Sequence, residues 1–153
     1  MTAPAGADTF TEAELTRYAE LQQHAVELAR NGATEELERV VAAGMPVNLR
    51  DYKGNSLLML AAYNGHVTTT RMLLQHGADA DARNDRGQTP LGGVAFKGYT
   101  PIAELLIAHG ADLNASQGGA GTPLLYATLF GRLAMRRVLK QHGARLRSSE
   151  PPA

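Results

Sequence analysis

The chain contains no cysteine and no tryptophan. Without cysteine, disulfides, thiolate metal sites and cysteine nucleophiles are excluded. The absence fits a reducing compartment, and a cytoplasmic location is the expectation. Aromatic residues are few, three Phe and five Tyr among 153 residues, so a core has to be assembled from Leu, Ala, Val and Met. Such side chains suit thin helical layers better than a thick sandwich. No apolar run approaches the ~20 residues that a membrane helix needs. Met1 to Phe10 lack a basic start and an apolar core, so no secretory signal is expected there. Net charge is missing too, with Lys plus Arg and Asp plus Glu at 15 each, which removes any whole-chain argument for a nucleic-acid or membrane partner.

What the chain has is repetition. Gly44, Gly77, Gly110 and Gly143 lie 33 residues apart, as do Gly32, Gly65, Gly98 and Gly131. Leu58, Leu91 and Leu124 keep the same step, as do Ala29, Ala62 and Ala95, and His76, His109 and His142. Several registers agree on one period without a gap, the mark of an array of stacked units. Each period reads as turn, helix, short loop, helix, loop. In the period from Asp51 to Arg83, Gly54 sits in a turn, Ser56 is placed to cap a helix over Leu57 to Asn64, and Gly65 ends it. A second helix is expected from about Val67 to His76. Thr89-Pro90 and Thr122-Pro123 put a cap and a first-turn proline at the same register position. Ahead of the array, Thr11 and Glu14 have capping-box spacing with Phe10 and Leu15 at staple positions, so the first helix should start near Glu12 and be longer than its counterparts.

Asp51-Tyr-Lys-Gly54, Leu58, Ala61-Ala62, Gly65-His66, Leu73-Leu74 and Gly77-Ala78-Asp79 resemble the ankyrin-repeat consensus. So do Gly87-Gln-Thr89-Pro90-Leu91, Gly98, Leu105-Leu106 and Gly110-Ala111-Asp112-Leu113-Asn114. The resemblance covers about Leu15 to Arg145. It implies an all-α solenoid of stacked antiparallel helix pairs joined by hairpin-like loops. The expected organisation is a disordered segment over 1–10, a repeat domain over 11–147 with repeats at about 18–50, 51–83, 84–116 and 117–149, and a disordered tail over 148–153. Terminal repeats lack a neighbour on one side and should carry polar outer faces.

The family resemblance implies that a partner binds on the concave surface formed by the hairpin tips and the first helix of each pair. Arg50, Tyr52, Lys53, Asn55, Tyr63 and Asn64 map there from the second repeat. Arg83, Asp85, Arg86, Gln88, Phe96 and Lys97 map there from the third, and Ser116, Gln117, Leu129 and Phe130 from the fourth. Tyr63, Phe96 and Leu129 share a register position and should form a row, an aromatic and aliphatic stripe flanked by arginines of the kind enriched in interface hot spots; the alternative is that the row packs against its own hairpins. Cations outnumber anions on this surface by about three, which suits an acidic or phosphate-bearing partner.

The family's histidine after Pro-Leu is replaced by Met59, Gly92 and Leu125. Two readings stand: apolar packing replaces a polar network, or Gly92-Gly93 leaves a hollow between Leu60 and Tyr126 that a partner side chain enters. Charge is also polarised. Residues 1–43 hold eight acids and three bases, and residues 117–153 hold six bases and one acid. Solvated ends explain this; head-to-tail self-assembly is the alternative. The basic end lacks an aromatic platform or reading helix, so nucleic acid is not expected as a partner.

No catalytic, cofactor-binding or metal-ligating residue emerges. Equivalent histidines of stacked repeats stand roughly 8–10 Å apart, too far to share one zinc at about 2 Å each. His76 with Asp79-Ala-Asp81 falls on a segment every repeat uses for its loop, where Asp81 merely stands in register with Asn48 and Asn114. His66 should serve its local turn. No nucleophile elbow, phosphate loop, dinucleotide fingerprint or zincin helix occurs. The expected function is a monomeric protein–protein interaction module, regulating or inhibiting its partner, with no enzymatic activity and no cofactor.

Overall fold

Capping residues at fixed points of the period decide where helices begin. The structure, a computed structural model, describes residues 9–119 and 121–148. Among them are eight helices in four pairs: α1 (Glu12–Asn31) with α2 (Thr34–Ala42), α3 (Leu57–Tyr63) with α4 (Val67–Gln75), α5 (Pro90–Lys97) with α6 (Thr100–Ala108), and α7 (Pro123–Leu129) with α8 (Leu133–Gln141). Thr11 and Glu14 make the full capping box. Ser56, Thr89 and Thr122 each accept the N–H three residues on, and Pro90 and Pro123 follow the threonines in the first turn, where a missing N–H costs nothing. No strand forms among the described residues. The loops between pairs carry only isolated antiparallel bridges, Arg50 with Ser56 and Gly121 with Arg147.

Connections of two or three residues fold each helix back on its partner. The pairs stack so that α1, α3, α5 and α7 form an inner row and α2, α4, α6 and α8 an outer row. The core lies between the rows. Leu58 and Leu91 are fully buried and Leu124 nearly so, each burial worth ~1.5–3 kcal/mol. Ala29, Ala62 and Ala95 are also fully buried, small enough to let neighbouring helices approach.

Three further ladders stitch repeat to repeat. The first uses the glycines after the inner helices. Gly32 adopts φ +72° and ends α1; a side chain there would overlap the ring of His66, which lies across it. His66 Nε2 donates to Arg30 O at 2.8 Å, so this histidine serves the preceding repeat rather than its own turn. Tyr99 lies over Gly65 in the same way, and Arg132 over Gly98, with Arg132 Nε donating to Phe96 O at 2.8 Å. The second ladder runs through the outer loops. Asn48 accepts from Asp79 N at 2.9 Å, Asp81 from Asp112 N at 2.9 Å and Asn114 from Arg145 N at 2.6 Å. Asp81 is the one carboxylate of the three. Burial raises its pKa above the ordinary aspartate value, the Asp112 N–H pulls it down, the Asp112 and Asp79 carboxylates push it up, and Arg83 lowers it. The third ladder is made of arginines: Arg50 Nη1 donates to Arg83 O at 2.6 Å, and Arg83 donates in turn to Ser116 O.

The ends are polar where the middle is not. Glu36 is exposed, whereas its register equivalents Thr69, Ile102 and Met135 are each 1% exposed, because each of those faces a preceding repeat and Glu36 has none. Thr128 and Lys140 are exposed, and Arg136 half-buried, at positions where Ala95, Leu74 and Ala103 are buried. Polar end faces follow the expectation for terminal repeats. The length of α1 does too: it runs 20 residues, about 30 Å. Its first half carries exposed Leu15, Tyr18 and Leu21 beyond the stack, and the staple residues Phe10 and Leu15 both remain more than half exposed. The disorder expected over 1–10 and 148–153 falls mostly on residues 1–8 and 149–153, outside the described residues.

Candidate functional site

The inner row turns a continuous face outward beneath the hairpins at 50–56, 83–89 and 116–122. Between α3, α5 and α7 this face sinks into a pocket of about 510 Å³. Met59, Leu60 and the backbone of Gly92 and Gly93 form its floor. Tyr63, Phe96, Tyr126 and Phe130 form its aromatic sides, and Lys53, Asn55, Asn84, Arg86 and Gln88 its hairpin rim.

The glycine pair is what makes the floor, though not by leaving it empty. Gln117, at the start of the fourth hairpin, turns its side chain back into the third repeat. Its Oε1 accepts from Thr89 N at 2.8 Å, and its Nε2 donates to Thr89 Oγ1 at 2.9 Å and to Ala115 O at 3.0 Å. A side chain on Gly92 would overlap that amide. Of the hollow that one reading placed at Gly92-Gly93 between Leu60 and Tyr126, the space over Gly92 is taken by Gln117, which is only 6% exposed and is a structural residue rather than an exposed contact, while all four residues line the pocket. The open volume lies beside it, toward Gly93, where a Cβ would stand 3.2 Å from Tyr63 Cδ2.

The aromatic sides are braced. Phe96 and Phe130 meet edge to face, with centroids 4.7 Å apart and planes at 79°, a favoured geometry for two quadrupoles. Lys97 Nζ sits 4.7 Å from the centroid of the Tyr63 ring, and Lys53 Nζ 5.5 Å from that of Tyr52, within range of cation–π attraction. Tyr63 keeps 41% of its surface exposed.

The pocket thus brings together Lys53, Asn55, Tyr63, Arg86, Gln88, Phe96 and Phe130 from the sequence-derived surface, with Lys97 stacked over Tyr63 behind them. Other members of that surface do different work. Arg50 donates to a carbonyl of the next hairpin, and Arg83 donates both to Gly87 O of its own hairpin and to Ser116 O of the next. Asn64 donates to Leu60 O at 2.7 Å and finishes its own helix. Asp85 sits in a turn whose N–H donates to Lys53 O at 3.1 Å. Tyr52 and Leu129 are exposed at 83% and 67%, outside the pocket. Phe96 pairs with Phe130 rather than along the row with Leu129. Sequence reasoning left Asn84 out of the surface. Its register match with Asp51, which accepts from Lys53 N and Asn55 N, was the available signal: Asn84 accepts from Arg86 N and Gln88 N in the same way, both at 3.0 Å.

His76, His109 and His142 close α4, α6 and α8 as their C-cap residues, and His109 Nδ1 donates to Leu105 O at 2.9 Å. Among the described residues no group of three or more His, Asp or Glu is placed to hold a metal ion, and no described helix is long and apolar enough to cross a membrane.

Comparison with known proteins agrees with this architecture. The family model described as ankyrin repeats (3 copies) matches residues 23–117 and 80–150. A Pseudomonas aeruginosa protein described as an ankyrin repeat protein is 52% identical over 46 residues. That stretch covers 30% of this chain and 27% of the relative.

Proposed function

The chain belongs to the ankyrin-repeat family, whose repeats are generally protein–protein interaction modules, and from that premise we propose that it binds a segment of a partner protein in the pocket between α3, α5 and α7. The observation that carries this reading is the pocket itself: about 510 Å³ of preformed space with four aromatic side chains and a polar rim, on a face no other part of the described chain covers. A groove held open by three ladders of inter-repeat bonds spends little ordering entropy on binding. Covering a partner's segment makes the chain a regulator or inhibitor of whatever that segment does. No residue is assigned a catalytic role.

A photo-reactive residue placed at Phe130 tests the proposal against one placed at Arg71, an exposed position on the outer helix α4. Cross-links to a protein partner are expected from position 130 and not from 71, and the triple change Tyr63→Ala, Phe96→Ala, Phe130→Ala should weaken capture at least ~10-fold, the scale of interface hot spots, with helicity unchanged. Equal cross-linking from both faces defeats the groove reading. Head-to-tail assembly, the second possibility raised by the charge polarity, calls for faster sedimentation at low salt than at high salt; one slow species at both removes it.

A further inference from the structure

The rim of the pocket shows which chemistry it accepts, and this inference rests on the groove reading above. Four amide side chains line the pocket, and the oxygen of each is already used. Asn55 Oδ1 accepts from Asn84 Nδ2 at 3.0 Å. Gln88 Oε1 accepts from Asn84 Nδ2 at 2.9 Å. Asn84 Oδ1 takes two backbone N–H groups, and Gln117 Oε1 takes the Thr89 N–H. The groups at the rim with no partner of their own among the described residues are donors, and two of them are cationic. Arg86 lines the pocket, is exposed, and makes no side-chain hydrogen bond or ion pair among the described residues. Among the described residues the Lys53 ammonium makes no hydrogen bond or ion pair and stands 5.5 Å from the centroid of the Tyr52 ring. The Gln88 amide nitrogen has no acceptor among the described residues, its oxygen alone being engaged. No Asp or Glu lines the pocket.

This is a polarised arrangement. Free donors and two cations stand on the hairpin side, and an apolar hollow floored by Met59 and Leu60 and walled by aromatic rings lies beneath them. An approaching ligand must bring acceptors to the rim and apolar surface to the hollow. A basic segment would leave Arg86 and Lys53 facing like charge, and a purely apolar one would strip water from them without replacement. We infer that the groove recognises an acidic segment of a partner protein, in which a bulky apolar side chain fills the hollow while a neighbouring Asp or Glu carboxylate takes the Arg86 guanidinium. Planar pairing of guanidinium with carboxylate fixes orientation as well as charge, so Arg86 reads the acid and Lys53 adds field.

The test is panning of random displayed dodecapeptides against the full chain at low salt. Fusion of each peptide's C terminus to the coat protein leaves side-chain carboxylates as its source of acid. Enriched peptides are expected to place an aromatic, Leu or Met within about three positions of an Asp or Glu. The double change Arg86→Glu, Lys53→Glu should weaken their binding at least ~10-fold, Phe130→Ala should also weaken it, and Arg71→Glu should leave it unchanged. Arg86 and Lys53 are exposed, and matching melting curves keep a loss of binding from being read as a loss of fold. Peptides that depend on Phe130 yet lack acids, or that ignore Arg86→Glu, overturn the acidic specificity and leave the groove reading standing. Peptides indifferent to Phe130→Ala overturn the groove reading itself. Panning that enriches nothing overturns the acidic-segment inference.

Discussion

The junction between the second and third repeats and the junction between the third and fourth solve one packing problem in two ways. At the first, Asn84 keeps its oxygen in its own hairpin, accepting from Arg86 N and Gln88 N, while its Nδ2 donates across to Asn55 Oδ1 at 3.0 Å, and the slot in the helix behind it is filled by buried Met59. At the second, Gln117 occupies the same register position with one more methylene. It leaves its own hairpin, enters the preceding repeat and bonds Thr89, while the slot is vacated by Gly92. A single CH₂ thus redirects the amide oxygen from its own turn to the neighbouring repeat, on condition that the neighbour gives up its side chain.

The largest effect is expected when the first solution is forced onto the second junction alone. Gly92→Met should destabilise the protein by ~3 kcal/mol, because the new side chain and Gln117 claim the same space. Adding Gln117→Asn completes the transplant and should recover ~1–3 kcal/mol of that loss as a coupling energy. Urea unfolding midpoints of the single and double variants measure both. Strict additivity would show that the slot and the amide are independent.

A smaller effect is expected from Gln117→Ala. The buried Thr89 N–H then loses its acceptor, a loss of ~1–3 kcal/mol, and hydrogen exchange at Thr89 should quicken more than exchange in α3. The smallest effect is expected in the outer loops, where Asp81 stands in register with Asn48 and Asn114. Its raised pKa means that the ionised form is disfavoured in the folded chain. The penalty is absent in acid below the ordinary aspartate range and grows as pH rises through the raised native value. Asp81→Asn keeps an acceptor for Asp112 N and removes the charge. It should stabilise the protein by less than about 1 kcal/mol at neutral pH, given its partial exposure, with the gain vanishing near pH 3. Equal melting temperatures of the two proteins at both pH values would contradict this.

The repeat architecture was legible because each signal is local. Ser56, Thr89 and Thr122 cap through bonds spanning three residues, and the glycines that close helices do so where they stand. The aromatic and cationic inner face could be read from register once the family resemblance indicated which positions face inward. What could not be read was the destination of side chains that cross between repeats. The Gln117 amide meets Gly92 across 25 positions of sequence, and whether it points out toward a partner or back into the stack depends on one carbon of reach. Arg50 and Arg83 counted as free charges by composition, yet the carbonyls that engage them lie 33 residues on. Asn84 was overlooked because its role depends on Asn55 and Gln88 being in place around it.

The same pairing limits how such an array could lengthen by tandem duplication. A copy of residues 84–116 inserted after itself would bring a second Asn84, not a glutamine, against Gly92, and the shorter amide would leave the slot vacant. A copy of residues 51–83 would carry its own Met59 to meet the existing Asn84 and keep that junction filled. The units look interchangeable by period, yet each is fitted to the one that follows it, so their order along the chain is itself part of the fold.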